Sequence, residues 1–218
     1  MERTPELELT PEIVLQAYSI GLFPMAEHAT DTHIFWLDPP QRGIFPLDAI
    51  NISRRFARQI RQDHFRVTAN LAFEQVIEHC ATLTQARRET WINPLIKQLY
   101  NELHQMGHAH SIEVWQGEAL AGGLYGVSLG GAFFGESMFH LAPNASKAAL
   151  AHLVARLRFA GFQLLDAQFL TPHLASLGAI EIPRGEYKRL LKAALKSGAD
   201  FTAPFSHRGA DVLARLAD

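Results

Sequence analysis

Residues 122–168 constrain the fold of this chain more than any other stretch. Apolar, glycine-rich runs at about 119–128 and 131–139 read as two strands. A polar loop follows. Asn144 then predicts a helix cap, and Leu150, Leu153, Val154 and Leu157 form one buried stripe that Gly161 terminates. Gln163 to Leu170 reads as a further strand. A strand–helix–strand order predicts a crossover and a locally parallel pair, whereas the tight turn Gln116-Gly117-Glu118 predicts antiparallel neighbours. The fold class is therefore α/β (α+β), a mixed sheet with helices on both faces.

Shorter elements precede this block. Thr10-Pro11 predicts a helix start and Gly21 its end. Short strands are expected at 34–37 and 43–47, separated by Asp38-Pro39-Pro40. Ser53 predicts a helix to about Asp63, His64 to Ala69 a strand, and Asn70 the cap of a helix striped by Phe73, Val76, Ile77 and Cys80. A loop spans 82–89, Asn93-Pro94 opens a helix to Met106, and Ser111 to Trp115 alternates as a strand. A short helix is expected near 172–177 and another from Pro183 to Lys196, before a weakly patterned tail. The change from short, proline-punctuated elements to long mixed ones sets a boundary: 1–62 as a small N-terminal lobe, 63–218 as the main domain.

Composition excludes several classes. The single cysteine permits no intrachain disulfide and suits a reducing compartment. No apolar run approaches membrane-spanning length, and the acidic N-terminal residues lack a signal h-region. The expected location is cytoplasmic. A formal net charge of −2 argues against a protein that coats nucleic acid, though not against a local basic patch.

Three polar residues stand out in the apolar frame of 122–168: Glu136, Asp166 and Gln168. Burying them unpaired would cost several kcal/mol. On a strand, residues 166 and 168 point to one face, so Asp166 is expected to accept from the Gln168 side-chain amide and turn its carbonyl outward. The alternative is a polar strand end bonding loop backbone; spacing alone does not choose the first over the second. Glu136, among aromatics and glycines, is either an anchor for a substrate amine or hydroxyl or a structural partner of an arginine.

Other motifs are weaker. Gly135-Glu136-Ser137 lacks the second glycine and the strand-to-helix turn of a hydrolase nucleophile elbow. The glycines at 122, 123, 126, 130 and 131 match neither a dinucleotide fingerprint nor a P-loop and suit strand bulges. His104, His108 and His110 match no zinc spacing and are expected at the surface. Trp36 and Trp91 sit beside proline-bearing loops, where an aromatic can stack on a base, although most tryptophans are core. Arg54, Arg58 and Arg61 share one helix face; with Arg55, Arg87, Arg88 and Lys147 they form either a solvated surface or a basic track for a phosphate backbone.

Taken together, several ordered stretches resemble the leucyl/phenylalanyl-tRNA–protein transferase family. They include Ala17-Tyr18-Ser19-Ile20-Gly21-Leu22-Phe23-Pro24, Thr90-Trp91-Ile92, Gly107 through Trp115, Phe134-Gly135-Glu136-Ser137-Met138-Phe139, Asn144-Ala145-Ser146-Lys147, Leu165-Asp166-Ala167-Gln168 and His173 through Ala179. The resemblance implies a C-terminal domain like the acetyltransferase (GNAT) fold beside the small lobe. It implies transfer of Leu or Phe, less readily Met, from aminoacyl-tRNA to proteins with N-terminal Arg or Lys, marking them for N-degron degradation. No cofactor, metal, DNA or membrane is implied. Carried over residue by residue, it makes Asp166, Gln168 and Glu136 catalytic and Leu124, Phe133 and Leu165 an aminoacyl pocket. Trp36 and Trp91 become base-stacking aromatics, and Arg54, Arg58 and Arg61 tRNA contacts. The sequence departs from some members at Leu37, Leu124 and Thr171, where tryptophan, methionine and asparagine also occur.

Two rival functions remain. An acyl-CoA-dependent N-acetyltransferase needs a glycine-rich pyrophosphate loop, and His140-Leu141-Ala142-Pro143-Asn144 contains no glycine. A noncatalytic RNA-binding module would use the arginines and tryptophans but leaves Glu136, Asp166 and Gln168 without a task.

Overall fold

The computed structural model describes residues 9–31, 33–83 and 89–218. The chain runs α1 (Pro11–Ser19), β1 (Phe23–Met25), β2 (Phe35–Leu37), β3 (Gln41–Ile44), α2 (Arg54–Arg61), β4 (Arg66–Ala69), α3 (Phe73–Ala81) and α4 (Pro94–Gln105). It continues with β5 (Ala109–Gln116), β6 (Ala119–Leu129), β7 (Ala132–His140), α5 (Ala145–Phe159), β8 (Leu164–Gln168), α6 (Pro172–Leu177), β9 (Ile180–Pro183), α7 (Arg184–Ala194) and α8 (Gly209–Ala217).

Local chemistry explains most helix starts. Thr10, Ser53 and Asn93 accept from backbone amides three residues on, as N-caps should. The expected caps Asn70 and Asn144 do not act this way. Both adopt left-handed backbone, with φ of 59° and 68°, which turns their side chains away from the helix. Asn70 instead accepts from the Ser111 amide and Asn144 donates to Gln59.

Among the described residues, seven strands form one sheet in the order β4-β5-β6-β7-β8-β3-β9. All neighbours are antiparallel except β7 and β8, the parallel pair that α5 connects. The mixed sheet and its crossover thus match the α/β (α+β) expectation. Strand alternation divides the core. Ile112, Leu124, Phe133 and Leu165 pack with α2, α5, α6 and α8, whereas Tyr125, Phe134 and Leu164 pack with α1, α3, α4 and α7. Helices therefore cover both faces.

Three elements depart from expectation, the first being β1, which pairs with β2 where no strand was expected. The tail contains α8, and β9 pairs with β3 at the sheet edge. Three of the four β9 residues are exposed, so no apolar alternation marks the strand. β3, from within residues 1–62, lies between β8 and β9 in the main sheet. That insertion delivers Arg42 to Asp166.

Candidate active site

The site forms where β7 and β8 part. Their parallel pairing stops at Phe134 and Asp166. Just beyond, both strands break their regular backbone. On β7, Tyr125 pairs with Ser137 and Gly126 with Gly135, leaving Glu136 as an unpaired bulge residue. A bulge re-aims its side chain. Gly126 makes the bulge possible, since a Cβ there would lie 2.2 Å from the Phe134 carbonyl oxygen. On β8, Gln168 takes a left-handed φ of 55°. Gly43 of β3 lets that corner approach, as a Cβ would fall 2.6 Å from the Phe169 backbone.

Asp166 is wholly buried, and four hydrogen bonds satisfy it. Arg42 Nε and Nη2 donate at 2.9 and 2.6 Å, the Gln168 backbone amide at 2.9 Å and the Tyr187 hydroxyl at 2.8 Å. Arg42 is 1% exposed. It also donates to the Gly21 carbonyl and lies over the Phe23 and Tyr187 rings. Such bidentate pairing with full satisfaction is what a buried ion pair requires. The expected bond from the Gln168 side-chain amide to Asp166 is absent, because the left-handed turn brings the backbone amide to Asp166 instead.

The Gln168 side chain turns to Glu136, with Nε2 donating to Oε1 at 3.2 Å. An ionised carboxylate only accepts, so this contact fixes the amide with Oε1 as its remaining acceptor. The Tyr18 hydroxyl donates to Glu136 Oε1 at 2.6 Å and the Tyr100 hydroxyl to Oε2 at 3.0 Å. The two phenols also lie 2.6 Å apart. Three oxygen contacts thus share two protons when Glu136 is ionised, and a protonated Glu136 supplies the third. Burial pushes the Glu136 carboxyl up to about 7, against the two phenol bonds that pull it down. Burial likewise holds both phenols protonated, well above their ordinary range. The arginine imagined as a partner of Glu136 pairs with Asp166.

This cluster opens on a cavity of ≈ 320 Å³, within the range of about 300–1,000 Å³ typical of ligand pockets. Leu124, Leu150, Leu153 and Leu165 line it, and Trp91 and Met25 contribute to its walls. Glu136, Asp166 and Gln168 are on its lining too. The structure therefore brings together six of the sequence-selected residues: Glu136, Asp166, Gln168, Leu124, Leu165 and Trp91. It does not bring in Phe133. That residue shares a face of the sheet with Leu124 and Leu165 but is fully buried behind the cavity, stacked on Phe201 at 5.4 Å. Trp36 also misses the lining; it is half-buried on β2 opposite Pro24.

Arg54, Arg58 and Arg61 are exposed on α2, away from its buried Phe56 and Ile60, and do not line the apolar cavity. Arg87 and Arg88 lie outside the described residues. His110 is buried rather than superficial, stacked on Phe201 at 4.2 Å and bonded to Asn70 and Ser128. Sequence reasoning missed Arg42, Tyr187, Tyr18 and Tyr100. Their contacts span 21 to 124 residues, so no local pattern announces them. The arginine immediately before the apolar run Gly43-Ile44-Phe45 was the available signal.

An apolar cavity that ends in an amide and a carboxyl raised to about 7, with two buried phenols behind that carboxyl, suits an enzyme that acts on a small apolar group. The comparisons with known proteins specify it. The family described as leucyl/phenylalanyl-tRNA protein transferase matches residues 44–192, and its N-terminal domain matches 8–40. Proteins named leucyl/phenylalanyl-tRNA–protein transferase are similar along nearly their whole length. The one from Afipia carboxidovorans is 57% identical over 95% of this chain and 92% of its own. Those from Ruegeria pomeroyi and Nitrobacter winogradskyi are 54% and 53% identical, over 96% and 99% of this chain and 98% and 97% of theirs. The chain belongs to the leucyl/phenylalanyl-tRNA–protein transferase family, and it is an aminoacyltransferase. Among the described residues no helix is long and apolar enough to cross a membrane.

Proposed function

We propose that the protein moves Leu or Phe, and less readily Met, from aminoacyl-tRNA to the N-terminal Arg or Lys of acceptor proteins, feeding N-degron degradation in the cytoplasm. The observation that carries this reading is the apolar cavity with Gln168 and Glu136 on its wall. Burying a Leu or Phe side chain there is worth about 1.5–3 kcal/mol, which selects against polar aminoacyl groups. Separation of Leu from Met is modest, since shape alone distinguishes similar apolar groups weakly.

An aminoacyl ester is already activated, so the site must mainly position a neutral amine. A free α-amine has a pKa of about 7.7–8.0, and part of it is neutral near pH 7. The amine nitrogen attacks the ester carbonyl; a C–N bond forms and the C–O bond to the ribose breaks. The nitrogen loses one proton and the ribose oxygen gains one. Gln168 Oε1 accepts a hydrogen bond from the amine and orients it. An amide is too weak a base to take the proton. Glu136, held near neutrality beside Gln168, carries it. Asp166 acts one step back, as a positioning residue that fixes the Gln168 backbone. Trp91 is the base-stacking aromatic of this reading. Arg54, Arg58 and Arg61 contact the tRNA backbone.

Incubation with leucyl-tRNA and a peptide beginning with Arg tests the reading. The expected product is the peptide extended by one leucyl residue, seen by mass, and no extension of a peptide beginning with Glu. Extension of both peptides, or of neither, contradicts it.

A further inference from the structure

Next to the apolar cavity lies a polar one of ≈ 740 Å³, between the start of α2, the start of α5 and the end of α6. Arg55 and Lys147 line it with Ser53, Asn144 and Ser176, and its lining contains no carboxylate. Among the described residues neither cation makes an ion pair. Two cations brought to one concave, carboxylate-free surface from positions 92 residues apart create a local positive potential on a chain whose net charge is −2.

The two cavities share walls. α5 turns Lys147 to the polar cavity and Leu150 and Leu153 to the apolar one. α6 turns Ser176 and Leu177 to the polar cavity and His173 and Leu174 to the apolar one. The Lys147 charge is felt across this wall: after burial, it is the next cause holding the His173 imidazole below its ordinary range. A polymer whose terminal group enters the apolar cavity therefore meets Lys147 and Arg55 as it leaves. Beyond Arg55 the exposed Arg54, Arg58 and Arg61 continue the positive surface along α2.

We propose that the polar cavity seats a backbone phosphate of the donor RNA's single-stranded 3′ end, with Arg55 and Lys147 as its counter-charges. The proposal rests on reading the apolar cavity as the aminoacyl site. Arg55 offers a planar fork and Lys147 a mobile point charge, a pairing suited to phosphate oxygens. Ser53, Asn144 and Ser176 supply hydrogen-bonding groups on the same surface. The seat gives the RNA a direction: from the aminoacyl cavity, over the α5–α6 wall, and out along α2.

The test uses the full chain and a double variant, Arg55→Ala with Lys147→Ala. Binding of the ribonucleotide tetramer ACCA is measured at several salt concentrations, and transfer is measured from leucyl-tRNA and from the leucyl ester of adenosine, which has no phosphate. The double variant is expected to bind ACCA about tenfold or more weakly, with a log–log salt slope shallower by about 1 to 2. Its KM for leucyl-tRNA rises in parallel, while the rate from leucyl-adenosine is unchanged. Lys147→Arg restores most of the tetramer affinity that Lys147→Ala loses. Unaltered ACCA affinity and salt slope overturn the proposal. So does an equal fall in transfer from leucyl-adenosine, which would mean damage to the aminoacyl cavity. A wild-type protein that transfers from neither donor contradicts the aminoacyl reading alone; loss of tetramer affinity in the double variant still upholds the phosphate seat.

Discussion

Single residues divide the site into a rigid support and a titratable part. The support is Arg42–Asp166, fully buried and joined by the Tyr187 hydroxyl. Arg42→Met leaves Asp166 charged and without its cation, a change that costs about 3–5 kcal/mol. Chemical unfolding measures it, and a loss below about 1 kcal/mol contradicts the assignment. Glu136 is the titratable part. Its folded pKa of about 7 lies above the value of about 4.3 expected in the unfolded chain. Between those values the folded state holds more protons, so this group's contribution is present at low pH and is lost as pH rises through about 7. His110 acts oppositely. Burial, aided by His104 and Arg156, lowers it to about 4, so its penalty grows as pH falls below about 6.5. Comparison with Glu136→Gln cancels the histidine part. The stability of wild type relative to that variant should decline from pH 4.5 to 7. A flat difference would show that Glu136 titrates as an ordinary surface acid and a rising one that folding lowers its pKa; either contradicts the assignment.

At the scale of elements, two backbone irregularities aim the chemistry: the β7 bulge at Glu136 and the left-handed corner at Gln168. Gly126→Ala forces a Cβ to 2.2 Å from the Phe134 oxygen. The bulge must then shift, and activity should fall further than the loss of folded protein explains; activity normalised to the folded fraction by circular dichroism checks this. Unchanged normalised activity would separate the bulge from catalysis. These irregularities also mark where sequence reading stopped. The sheet, the crossover and the buried α5 stripe were legible because alternation at period 2 and spacing near 3.6 are local signals. Asp166 and Gln168 were legible as a polar pair in an apolar strand. Their relation was not, because same-face geometry assumes a regular strand, and Gln168 leaves it. The Tyr18, Tyr100 and Arg42 contacts were illegible for another reason: α1, α4 and β3 reach the site only through tertiary packing.

For the whole molecule, the C-terminal residues tie the outer arginine helix to the core. α8 packs on both α5 and α2, and the Gly209 amide donates to Asp63 at the end of α2. Buried Arg156 of α5 holds the preceding loop through the Phe201 and Ala203 carbonyls and His207. Arg156→Met leaves those acceptors unpaired and should cost about 2 kcal/mol or more, measured by thermal or chemical unfolding. The bulge, the buried ion pair and the cavity meet at Gln168. The most direct test is single-turnover transfer from leucyl-tRNA to an Arg-starting peptide by wild type and Gln168→Ala, with tRNA affinity measured on the same preparations. The rate of the variant is expected to be lower by about 10²-fold or more at unchanged tRNA affinity; a near-normal single-turnover rate would contradict the role given to Gln168.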